Sequence, residues 1–237
     1  MSLLLCCILL VSLWPFIHSS QGFHYEGSLN CVLKQDTKDL TCKPGANDFI
    51  LTPNCMWTLI YNFHANIYKT SYLTTTAISL KSCRIIRVMK DGFMYLSAIR
   101  HLDLSNNKMS SLECGSLDGL KSLSYLNLAQ NSLTSICNDV FHGVPLIVLD
   151  LGSNQLQTLS AQYPVTLNII DISHNNINCL NVFYTQLVSQ GVRLDFIFFD
   201  NNPWKCSCLF QILRTLKSHN VSYSSVTFNG KNEVCDM

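Results

Sequence analysis

The chain has 237 residues, enough for one or two domains, with 48% hydrophobic and 13% charged residues, which excludes a disordered chain and supplies a core. Sixteen Lys and Arg against fifteen Asp and Glu leave a net charge of +1, which argues against a chain built to grip phosphate backbones or anionic membrane. Twelve Cys, 35 Leu and 21 Asn each need an explanation.

Residues 1–22 read as a cleaved secretory signal peptide. Leu3 to Ile17 is a 15-residue apolar run, LLLCCILLVSLWPFI. That is short for a bilayer span of ~20 residues. Ser20-Gln21-Gly22 places small side chains at the −3 and −1 positions of a cut before Phe23. No Lys or Arg precedes the run, and a signal anchor is the alternative. No later segment is apolar enough to span or to mark a lipid anchor. The mature product is therefore expected to be a secreted, extracellular chain without a membrane span. Removing Cys6 and Cys7 from the twelve leaves ten Cys, an even number in an oxidising compartment, so structural disulfides are expected.

Residues 23–74 hold Cys31, Cys42 and Cys55 among polar residues and turn formers such as Lys43-Pro44-Gly45. A repeat follows. The segments HLDLSNNKM (101–109), YLNLAQNSL (125–133), VLDLGSNQL (148–156) and IIDISHNNI (169–177) share the form L-x-L-x-x-N-x-L. AISLKSCRI (77–85) precedes them with Cys83 in the Asn slot, and FIFFDNNPW (196–204) follows. The register residues Cys83, Asn107, Asn131, Asn154, Asn175 and Asn202 are spaced 24, 24, 23, 21 and 27 apart. IYNFHANIY (60–68) is a looser copy centred on Asn66. The L-x-L alternation has period two, so each copy is expected to hold a short strand with one buried face. The turn after it is buried, and an Asn amide can donate and accept there at once. A thiol is small enough for the same slot. Leu209, Ile212, Leu213 and Leu216 form a helical stripe expected to pack on the last coil.

This repeat resembles that of extracellular leucine-rich-repeat proteins, over residues 75–204. The resemblance implies an α/β repeat solenoid: a right-handed coil with a curved parallel sheet on the concave face and an irregular or short helical convex side. Asn202-Pro203-Trp204-Lys205-Cys206-Ser207-Cys208 resembles the start of that family's C-terminal cap, placed here at 205–237. The family's cap usually carries four Cys, whereas this chain offers Cys206, Cys208 and Cys235. Residues 23–74 stand where the family has an N-terminal cap, here divergent, with a possible first coil. The phrase NPWKCSC with a Leu-rich helix is also similar to the leucine-rich immune proteins of insects, whose coiled coil after the repeats is absent here.

Stacked strands lie about 5 Å apart, close to the Cα separation that a disulfide needs. Cys179 and Cys206 each lie four residues past their register Asn, and Cys114 and Cys137 lie seven and six past theirs. Cys179–Cys206 and Cys114–Cys137 are thus expected as staples between coils, with Cys208–Cys235 closing the cap. Cys31–Cys42 and Cys55–Cys83 complete the set. A zinc site on Cys206, Cys208 and Cys235 is the alternative, but no nearby His completes a familiar spacing.

No G-x-S-x-G, H-E-x-x-H or P-loop occurs, no residue stands out as catalytic or cofactor-binding, and no basic stripe supports nucleic-acid binding. What remains is the exposed sheet face. Its first column runs Ala77, His101, Tyr125, Val148, Ile169, Phe196, and its central column Ser79, Asp103, Asn127, Asp150, Asp171, Phe198. Lys81, Ser105, Ala129, Gly152, Ser173 and Asp200 form the column after it. Tyr125, Val148, Ile169 and Phe196 are the expected anchors for a protein or peptide ligand, with Asp103, Asp150 and Asp171 beside them. A structural matrix component, or an inhibitor or decoy using the same face, is the alternative. Asn220-Val221-Ser222 is a sequon for N-glycosylation.

Overall fold

The computed structural model describes residues 76–94 and 96–224, together with the backbone of residues 30–34, 39–43 and 49–51. In chain order these form β1 (Asn30–Lys34), β2 (Asp39–Lys43), β3 (Phe49–Leu51), β4 (Ala77–Ser79), β5 (Ile85–Val88), β6 (His101–Asp103), β7 (Ser111–Leu112), β8 (Tyr125–Asn127), β9 (Ser135–Ile136), β10 (Val148–Asp150), β11 (Ile169–Asp171), α1 (Asn181–Ser189), β12 (Phe196–Phe198), α2 (Cys206–Ser218) and β13 (Ser222–Tyr223). One nine-stranded sheet runs β1-β2-β4-β6-β8-β10-β11-β12-β13. Every pairing in it from β2 to β13 is parallel. This is the expected solenoid.

The strands are short because only the L-x-L segment alternates. Ile78, Leu102, Leu126, Leu149, Ile170 and Ile197 point inward at 2% exposure or less. The next inward residue of each coil, from Leu80 through Leu104, Leu128, Leu151 and Ile172 to Phe199, is equally buried. Its N–H extends the ladder beyond the strand, as in Leu104 N–H to the Asn127 carbonyl at 2.8 Å.

The chain then turns inside the protein, and the register Asn residues satisfy that turn. Asn131 Nδ2 donates to the carbonyls of Leu128 (3.0 Å) and Ala129 (3.3 Å) in its own coil and of Leu104 (3.1 Å) in the coil before. Its Oδ1 accepts the Met109 N–H of that earlier coil at 3.1 Å. Asn107, Asn154, Asn175 and Asn202 repeat the pattern on Ile85, Leu133, Leu156 and Ile177. All five are buried. Cys83 fills the same slot at 1% exposure, its Sγ donating to the Lys81 carbonyl at 3.4 Å. The residue just before each register position is left-handed: Ser82, Asn106, Gln130, Ser153, His174 and Asn201 have φ of 59°, 54°, 55°, 55°, 52° and 54°.

The convex side absorbs the differences in repeat length. β3 pairs β5 and β7 pairs β9 in two small parallel sheets. The Arg87 guanidinium grips the Glu113 carboxylate across β5 and β7. Phe141, Tyr163 and Phe183 stack from coil to coil with ring centroids 5.4 and 5.5 Å apart. The longest repeat, Asn175 to Asn202, holds α1, a helix the repeat pattern does not announce; it buries Phe183, Tyr184 and Leu187. At the far end α2 lays Leu209, Ile212 and Leu216 on the last coil. Trp204 closes the core from below, its Nε1 donating to the Phe199 carbonyl at 3.1 Å.

Three expected disulfides need correction. Cys114 is bonded to Cys137, with Cα atoms 5.2 Å apart. Cys179, however, is bonded to Cys208, not Cys206, also at 5.2 Å. The register that aligns Cys206 with Cys179 persists to Lys205, whose N–H donates to the Asn178 carbonyl at 3.0 Å. At Cys206 the helix begins. Side chains two apart on a helix point in nearly opposite directions, so one of the pair faces Cys179 and the other does not. Cys208–Cys235 is thereby excluded; Cys206 is itself disulfide-bonded, and Cys235 lies outside the described residues. Cys55–Cys83 is also not formed, because Cys83 is a thiol turned into the core. Cys55 and the looser copy around Asn66 lie outside the described residues. β2 pairs directly with β4, so no sheet position is open between them. The β1–β2 register sets Cys31 directly opposite Cys42.

Two outcomes follow. Asn131→Ala removes one acceptor and one donor from a buried turn and should lower unfolding free energy by about 2–4 kcal/mol in urea titrations. Burial, aided by the Asp103 charge, pushes the Cys83 thiol up from 9.0 to about 12. The folded pKa is the higher one, so this contribution to stability is complete below pH 9.0 and is lost as pH rises toward about 12. Cys83→Ser should therefore flatten the fall of stability with pH across that window.

Candidate functional site

The outward sheet residues form two open columns. In the first, His101 is exposed and Ala77, Tyr125, Val148, Ile169 and Phe196 are half-buried. The pairings place His101, Tyr125, Val148, Ile169 and Phe196 side by side on consecutive strands. His101 and Tyr125 rings lie 5.9 Å apart. Burial raises the Tyr125 phenol above its ordinary range, and Asp150 adds to this.

The second column carries Ser79, Asp103, Asn127, Asp150, Asp171 and Phe198. Here the structure reveals a folding role. The Oδ1 atoms of Asp103, Asn127, Asp150 and Asp171 accept the N–H two residues on, from Ser105, Ala129, Gly152 and Ser173, at 2.9, 2.9, 2.9 and 2.8 Å. Each closes an Asx turn that leads the chain out of the strand. One carboxylate oxygen is thus committed to the backbone. The ion pair of Arg87 with Glu113 lies on the convex side, away from these carboxylates. Asp150 is raised above the usual carboxylate range by burial, then by the charges of Asp171 and Asp103, against the Gly152 hydrogen bond.

The third column is closed rather than open. Ser105 and Gly152 are buried, Ala129, Ser173 and Asp200 half-buried, and Lys81 alone is exposed. Space at Gly152 is tight: a Cβ there would meet Asp150 Oδ1 at 3.2 Å and Asp171 Oδ1 at 3.3 Å. Phe198, in the central column, adds an exposed ring beside the first column. It is 38% exposed and its ring lies 4.5 Å from that of Phe196. Its place in the acidic column, where an apolar ring is anomalous, is legible in the sequence. His142 and His174 are exposed on turns, and His174 bonds Asn201 at 3.0 Å. Among the described residues no three His, Cys, Asp or Glu converge as metal ligands would. No described helix is long and apolar enough to cross a membrane.

The geometry defines a class of coil built on a buried Asn ladder, and comparison identifies it. Leucine-rich-repeat models match residues 74–133 and 123–177. Nephrocan of Mus musculus is 32% identical over 127 residues, covering 52% of this chain and 24% of that protein. Mimecan of Gallus gallus is 28% identical over 163 residues, covering 56% and 55%. Transforming growth factor beta activator LRRC32 of Mus musculus is 34% identical over 88 residues, covering 35% and 13%. Residues 74–177 are leucine-rich repeats of that family, and the chain spans about a quarter of nephrocan and about half of mimecan.

The Asx turns can be tested apart from any ligand. Asp150→Asn keeps the acceptor for Gly152 and removes a charge that burial and two neighbouring carboxylates disfavour. It should leave stability at neutral pH unchanged or slightly raised in urea titrations. Asp150→Ala orphans the Gly152 N–H and should cost about 1 kcal/mol.

Proposed function

We propose that this is a secreted leucine-rich-repeat protein that binds an extracellular protein partner on its open sheet face and catalyses nothing. One observation carries the reading. Side chains that fold no turn and fill no core, Tyr125, Val148, Ile169 and Phe196, form a continuous half-exposed apolar row, flanked by the carboxylates of Asp103, Asp150 and Asp171. An apolar row beside carboxylates is the make-up of a protein-binding surface, with the apolar side chains as anchors and the charges setting orientation. Asp103, Asp150 and Asp171 supply that orientation in this reading, and Phe198 extends the row at its end. The name of the transforming growth factor beta activator records action toward a protein growth factor, which supports a protein partner. The apolar run at 3–17 supports secretion.

The test is affinity capture from extracellular fluid, with the mature chain as bait beside a Tyr125→Ala/Phe196→Ala double variant. Partners held by the native chain should bind the variant on the order of tenfold or more weakly, with secretion and thermal melting unchanged. Failure of the variant to be secreted would instead mean that these rings belong to the core.

A further inference from the structure

We propose that Asn220 carries an N-linked oligosaccharide, and that this sugar guards the C-terminal edge of the sheet. The sequon Asn220-Val221-Ser222 lies on the short link between α2 and β13. The link is rigid. Asn220 follows the helix C-cap, His219, and is left-handed with φ of 56°. Its N–H donates to the Lys217 carbonyl at 3.3 Å, and the Val221 N–H donates to the Leu216 carbonyl at 2.9 Å. These two bonds make a Schellman cap, closed by the buried pair Val221 and Leu216. With Val221 turned inward, Asn220 and Ser222 are both exposed. The cap therefore holds the acceptor amide and the sequon hydroxyl outside the protein, where a bulky glycan costs no packing.

The position also matters. β13 ends the sheet, and among the described residues its one strand partner is β12. Ser222 and Tyr223 are exposed, Tyr223 at 41%. Among the described residues this edge is unpaired, and an unpaired parallel edge beside an aromatic ring is a template for a strand of a second copy. A glycan two residues before β13 stands across that approach. β12 stands between β13 and the columns on β6 to β11. The chemistry is a transfer without redox change. Asn220 Nδ2 attacks the anomeric carbon of an oligosaccharide carried on a lipid pyrophosphate. A C–N bond forms, the C–O bond to pyrophosphate breaks, the lipid pyrophosphate leaves with the electron pair, and the amide gives up one proton.

The inference rests on passage through the secretory pathway, and the experiment separates the two. The full chain is expressed in a secreting eukaryotic cell, with Asn220→Gly and Ser222→Ala beside it. Asn220→Gly keeps the left-handed cap, since glycine adopts that conformation most readily. Ser222→Ala keeps Asn220 itself. The native chain should emerge heavier by one glycan, removed by peptide-N-glycosidase with conversion of Asn220 to a carboxylate, and both variants should lack it. Retention of the chain in the cytosol would sink the secreted reading; secretion without the added mass would overturn this one. Sedimentation then compares the native chain with the same folded protein after enzymatic deglycosylation. The first should stay monomeric and the second should associate with rising concentration. A deglycosylated chain that stays monomeric would overturn the guarding role.

Discussion

The structure depends on one constraint: a backbone that turns inside a protein must have its polar groups satisfied there. Five asparagines meet it, each with three carbonyls and one N–H within reach of a single amide. Because each amide bonds to two coils, it fixes the height of one coil on the next as well as the local turn. This separates the two halves of a repeat. The strand and turn are held to one geometry, while the return path on the convex side is not. Repeat lengths can therefore run from 21 to 27 residues with the sheet in register throughout. The longest repeat spends its surplus on a helix.

The asparagine does not act alone. The Asx turn made by Asp103, Asn127, Asp150 or Asp171 leads the chain off the strand, and a left-handed residue then brings it to the register position. None of the six left-handed residues is glycine, so each carries a steric cost of roughly 1 kcal/mol. Tertiary contact offsets this cost in part. Asn106 donates to Ser82 Oγ at 2.8 Å, and Asn201 meets His174 at 3.0 Å, joining left-handed residues of adjacent coils. The central acidic column is thus first a folding device. Its charge is a consequence of which side chains can close the turn, and Asn127 shows that a neutral amide closes it equally well.

Much of this was legible in the sequence because the repeat exposes its own constraints. Leu at alternating positions and Asn at a fixed offset gave the parallel sheet, the buried ladder and the two outward columns residue by residue. The misreadings share a cause. Cys206 was assigned to Cys179 by counting residues from the last Asn, and counting fails where a strand-and-turn path becomes a helix, as it does at Cys206. Cys83 was offered a partner because ten Cys can pair evenly, although its register position already placed it inside. α1 went unseen because it lies in the part of the repeat that the Asn ladder leaves unconstrained. The Asx role of the aspartates was hidden by a pattern that serves turn and surface at once.

That separation between constrained and unconstrained positions locates the information in the surface. Inward Leu, register Asn and turn-closing Asp are fixed by folding and recur in almost every coil. The first column is different. The side chains of Ala77, His101, Tyr125, Val148, Ile169 and Phe196 occupy equivalent places, yet they differ in size and polarity. The fold asks nothing of them beyond fitting a strand. Leaving Val148, Ile169 and Phe196 half-exposed forgoes the stabilisation that full burial would give, about 1.5–3 kcal/mol for a side chain of this kind. A partner that covers the row recovers that stabilisation. Phe198 strengthens the point: on β12, where the central column has no Asx turn, it offers an exposed ring packed on Phe196. On that strand, released from the turn-closing constraint, the residue that appears is one suited to contact.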